Sequence, residues 1–136
     1  MSGQDELEKI NELRENIKEQ MYFISQLKST ISGVSGIDYD KEAVQTSVEG
    51  NPMLKNLCKI ETEEEKLDKM LLEWITYRVK MIQKIHKMKV GVLQRILYWI
   101  YIDDKPIKTV ADLMHWTYDH TRKLHRQALA EFENIR

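Results

Sequence analysis

In 136 residues the chain has one cysteine, two prolines and five glycines. The lone Cys58 excludes an intrachain disulfide framework and fits a reducing compartment. So few helix breakers leave room for long helices. The longest apolar run, Ile96 to Ile102, falls well short of the roughly 20 residues a transmembrane helix needs. The start, Met1 to Glu6, has neither the basic opening nor the apolar core of a signal peptide, so a cytoplasmic location is expected. There is no glycine-rich phosphate loop and no nucleophile elbow. His115, His120 and His125 recur at intervals of five, which does not align them on one helical face as zinc ligands at i and i+4 are aligned. An enzyme, a cofactor, a metal site, a membrane partner and a small-molecule substrate are therefore not expected.

What is present is charge, unevenly placed. Residues 1–77 hold 9 Lys and Arg against 16 Asp and Glu, and residues 78–136 hold 12 against 6. A net charge of -1 thus conceals an acidic first part and a basic second part. Asymmetry of this kind points the basic part towards a polyanion, although clustering on a solvated helix face produces the same counts.

The first periodic element runs from about Asp5 to Ser32. Ile10, Ile17, Ile24 and Ile31 recur every seven residues, Leu13 and Leu27 sit three after two of them, and Gln20 fills the slot between. Isoleucine at a and leucine at d predict a coiled-coil seam, with Gln20 setting register against a polar group opposite. The same six apolar residues serve equally as an oligomerisation seam between chains or as one face of a helix folded back on its own chain. A polar connection is expected over Gly33 to Gly50, with Val34, Ile37, Tyr39 and Val44 tacking it down. Asn51 and Pro52 then read as N-cap and first residue of a second long helix reaching about Lys89. Its apolar positions are Leu57, Ile60, Leu67, Leu71, Trp74, Met81, Ile85 and Met88. Gly91 is expected to be a hinge or helix end.

Residues 92–132 change character. Three short helical patterns, at 92–102, 107–114 and 118–132, are separated by joints at 103–106 and 115–117. Leu93, Ile96, Leu97 and Ile100, then Val110, Leu113 and Met114, then Leu124, Ala128, Leu129 and Phe132 are expected to form one small core, plugged by Trp116. Thr117 is a natural N-cap for the last helix, with Asp119 favouring its dipole. Two helices joined by a three-residue turn, the second one basic, match the sequence pattern of a helix-turn-helix DNA reader. The expected DNA-contacting residues are Lys108, Thr117, Tyr118, Asp119, His120, Arg122, Lys123 and Arg126. His120 and Lys123 are assigned to base edges, and Lys108, Arg122 and Arg126 to phosphates. Tyr118 is placed to stack on sugar or methyl groups, and Asp119 to accept from a cytosine amino group.

The segments 100–102, 107–113 and 116–129 resemble the helix-turn-helix of sigma-factor region 4. More narrowly, they are similar to the phage late-transcription regulators of the ArpU and RinA type, whose inter-helix loop residues 39–47 also resemble. Where that family favours glycine in the two joints, this chain has Asp104 and His115; histidine can adopt a left-handed turn. The resemblance implies a phage or prophage protein in a bacterial host cell that binds double-stranded promoter DNA and activates transcription by bacterial RNA polymerase. The expected fold is all-α: a long antiparallel, coiled-coil-like helical hairpin over residues 1–89, for dimerisation or partner binding, then a three-helix module over residues 90–136. The competing expectation is a helical adaptor or inhibitor that binds polymerase or another protein without specific DNA binding, using Trp74, Tyr77, Tyr98, Trp99 and Tyr101 as exposed anchors.

Overall fold

A computed structural model describes residues 2–35 and 52–135. The expected loop contacts of Ile37, Tyr39 and Val44, the cap at Asn51 and the family-like segment 39–47 lie outside the described residues. Among the described residues the fold is all-α. The helices are α1 (Gly3–Ser35), α2 (Pro52–His86), α3 (Gly91–Leu97), α4 (Ile107–Met114) and α5 (Tyr118–Glu133), with a π-helical turn (Tyr98–Ile102) directly after α3. No helix among them is long and apolar enough to cross a membrane.

Two compact units divide the chain: Met1–Arg14 with Glu73–Arg136, here the core unit, and Glu15–Leu72, here the hairpin unit. This grouping differs from a division at residue 89. The first turns of α1 and the second part of α2 belong with the C-terminal helices because they supply part of one apolar cluster. Leu7 and Ile10 of α1 and Met81 and Ile85 of α2, followed by Met88, join Leu93, Ile96, Leu97, Tyr101, Ile102, Ala128 and Phe132. The residues expected to form a small self-contained core therefore close only with help from both long helices. Leu113 is the exception among them: it is 48 % exposed at the end of α4.

In the core unit α1 and α2 run antiparallel, with Glu6 opposite Lys84 and Arg14 opposite Trp74. The Lys84 ammonium donates to Glu6 Oε2 at 2.8 Å, and the Tyr77 hydroxyl donates to the Glu6 carbonyl at 2.5 Å. Arg14 and Arg78 both place guanidinium groups over the Trp74 ring, at 5.8 and 5.9 Å. The backbone amide of Gly3 donates to Glu133 Oε1 at 2.8 Å, and a Cβ at Gly3 would lie 2.7 Å from Glu133 Cγ and 3.1 Å from the Phe132 ring. Only glycine lets the backbone come this close.

α2 stops at His86, short of the expected Lys89. Its last turn tightens through i to i−3 bonds from the Lys87 and Met88 amides. Gln94 donates to the Met88 carbonyl and, at 3.4 Å, to that of His86, so a side chain serves carbonyls that lack a helical partner. The Lys89 amide is held by Glu131 Oε1 at 2.8 Å. Gly91 opens α3 instead of closing α2.

In the hairpin unit the two long helices also run antiparallel. Gln20, expected to find a polar partner across the seam, donates to the carbonyl and the Oε2 of Glu63 at 3.0 and 2.7 Å. Lys28 pairs with Glu64 at 3.0 Å, and Lys59 lies over the Phe23 ring at 6.0 Å. Ile17, Ile24 and Ile60 are buried, while Leu57, expected on this seam, is exposed.

Candidate nucleic-acid interface

The interface is built on the passage from α4 to α5. α4 ends in a left-handed residue, His115, at φ 57°. The Trp116 amide returns to the Ala111 carbonyl at 2.9 Å and the His115 amide to that of Asp112 at 3.3 Å. This pair of bonds is the Schellman arrangement, which normally takes glycine at the left-handed position. The other joint repeats the choice, with Asp104 at φ 55°. At both sites a polar side chain occupies the left-handed conformation that favours glycine. Asp104 gains an ion pair with Arg14 at 3.1 Å.

Thr117 then starts α5 as expected. Its Oγ1 accepts from the His120 amide at 3.1 Å, and its carbonyl accepts from the hydroxyl of fully buried Thr121 at 2.9 Å. The cap fixes where the helix begins, and Thr121 fixes which side faces inward. With 3.6 residues per turn, Thr121, Ala128 and Phe132 face the core. Asp119, Lys123 and Arg126 fall on the opposite side and Arg122 and Tyr118 on its flank; all five are exposed, as are Thr117, His120 and, on α4, Lys108. All eight residues expected at DNA therefore reach solvent, and seven of them belong to α5 or its cap.

Two contacts hold this surface in shape. Arg122 lies over the Tyr118 ring at 5.7 Å, and His120 meets the Trp116 ring edge-on at 5.2 Å. Trp116 is half-buried against the core, consistent with its expected role as a plug. A guanidinium stacked on an aromatic face loses less rotamer freedom when it binds a phosphate.

Behind the surface, the Tyr101 hydroxyl and His125 Nε2 are 2.8 Å apart, linking the π turn to α5. Burial, and after it the nearby Glu8 carboxylate, pushes the Tyr101 phenol up to about 12. Burial also lowers His125, against the opposing pull of Glu8. A neutral phenol donating to a neutral imidazole satisfies both shifts. Residues 92–102, expected as one helix, end in this π turn. The Asp103 amide bonds to the Tyr98 carbonyl at 3.0 Å, one residue further back than in an α-helix.

The six seam residues are covered to different degrees. Ile10, Ile17 and Ile24 are buried by the chain itself, Ile10 completely, and Leu13, Leu27 and Ile31 are half-buried. This burial is the folded-back packing of the face within one chain. The aromatic anchors of the adaptor reading are not exposed either: Tyr101 is buried, and Trp74, Tyr77, Tyr98 and Trp99 are half-buried. They are drawn inward because the long helices and the C-terminal module share a core. Residues that sequence reasoning missed are Gly3, Glu131 and Glu133, which join segments far apart in the chain and carry no local signal. No protein-family model, no curated protein and no solved structure matches the chain.

Proposed function

We propose that the chain is a DNA-binding regulator of transcription that reads double-stranded promoter DNA with α5. The observation that carries this reading is a capped helix, set off by a left-handed turn, whose outward face bears Arg122, Lys123 and Arg126. Lys108, Arg122 and Arg126 bind phosphates, and His120 and Lys123 reach base edges near the start of the helix. Tyr118 contacts sugar or a thymine methyl, and Asp119 accepts from a cytosine amino group. The sigma-like pattern and the acidic first part of the sequence support a phage or prophage activator of late genes that also engages bacterial RNA polymerase.

The test is titration of promoter-region DNA from the chain's own genomic neighbourhood at several salt concentrations. The variant Lys123→Ala/Arg126→Ala should bind more weakly. Its salt dependence should flatten by about 0.9 in the log–log slope for each phosphate that is no longer neutralised. Binding and slope identical to the parent would remove this face from the interface.

A further inference from the structure

We infer that the hairpin unit is a self-association surface, on which two copies of this chain pair two-fold across the groove that runs beside the isoleucine seam. The groove, of about 410 Å³, has Ile24 and Leu67 in its floor, Met21 at its lip, and Lys28, Glu64 and Asp68 along its rim. Met21 is 55 % exposed.

Three arguments identify the occupant as a second copy. First, the described residues of the unit are a pair of helices that bury Ile17, Gln20, Ile24 and Ile60, and a helical layer is stabilised by a further layer. Two such pairs packed together make a four-helix bundle, the usual resolution for antiparallel hairpins with one seam already used. Second, the rim carries both signs. A two-fold axis makes each patch meet itself, so Lys28 of one protomer approaches the partner's Asp68 and the reverse contact forms at the same time. A purely cationic or purely anionic partner would meet like charge on one side of the groove. Third, the Lys28–Glu64 pair already spanning the rim is exposed on both sides, so it contributes little alone and leaves both groups open to a second opposite charge. The proposal concerns a different surface from α5 and does not rest on DNA binding.

Light scattering and sedimentation of the full chain from about 1 to about 100 µM, a range in which ordinary dimers dissociate, test it. The parent should be a dimer at the upper end. Met21→Glu, at an exposed position on the groove, should raise the dissociation constant at least tenfold while leaving helical circular dichroism unchanged. Asp68→Lys should weaken the dimer, and Lys28→Asp added to the same chain should restore it. A monomeric parent at the upper end, a dimer indifferent to the glutamate, or a charge swap that fails to restore association would each overturn the proposal.

Discussion

Among the described residues, every side chain that is large and fully buried, Leu7, Ile10, Ile85, Ile96, Leu97 and Phe132 among them, belongs to the core unit. Among the described residues of the hairpin unit the best-covered side chains, Ile24, Ile17, Ile60 and Gln20, retain between 5 and 9 % of their surface, and Met21, Tyr22 and Leu72 retain more than half. Both units are made from the same two long helices, so helix propensity is not the difference. Among the described residues, the core unit places several helices around its apolar residues, whereas the hairpin unit places one helix against one other. Closing a seam on a single side removes less apolar area from water, and stability follows that area. Placing the basic α5 in the better-packed unit gives its exposed cations a rigid base, while the less packed unit is left with surface to offer.

The largest test of this contrast compares truncations. Leu7→Ala should cost about 3–5 kcal/mol in urea unfolding, because Leu7 is fully enclosed and its removal leaves a cavity. It should also raise amide exchange in α5, though it is remote in sequence. Ile24→Ala should cost about 2 kcal/mol, at the low end for such a change, because the groove beside it lets neighbours relax. Equal losses would erase the distinction between the units.

A second test uses protons and touches only the core unit. The folded-state pKa of His125 lies below its unfolded value of 6.5. The unfolded chain therefore takes up a proton first as pH falls, and stability present above pH ~6.5 declines below it. Thermal melts should show a falling midpoint from about pH 6.5 downward, and His125→Gln should flatten that slope. A slope unchanged in the variant would place the titrating group elsewhere.

The smallest effect concerns the joint. His115→Gly removes a Cβ from a left-handed residue, a relief of about 1 kcal/mol, partly offset by the greater freedom of glycine in the unfolded chain. The melting midpoint should rise by about 1–3 °C. A fall would mean that the histidine ring contributes contacts that outweigh the backbone strain.

Much of the C-terminal module was legible in the sequence. Thr117 announces the start of α5 through cap chemistry, and the 3.6-residue period separates Ala128 and Phe132 from Arg122 and Lys123. Both signals are local. The partner of the isoleucine face was not legible, because a heptad records that one side is apolar and not which surface covers it. Ile10 and Ile17 carry the same letter in the same frame, yet Ile10 closes the core unit and Ile17 the hairpin unit. Leu57 and Leu113 fit their apolar periods and are nonetheless exposed, since a period cannot say where a neighbouring helix ends. The aromatic cluster from Tyr98 to Tyr101 was misplaced for the same reason.

The π turn at Tyr98–Ile102 holds one residue more per hydrogen-bonded ring than an α-helix would. Deleting a single residue there would let the backbone revert to ordinary winding and leave the downstream helices near their present phase, because the wide turn already takes up the extra residue. The same deletion inside α5 would turn every later residue by about 100°. Length is therefore held less tightly at this turn than in the helix it feeds.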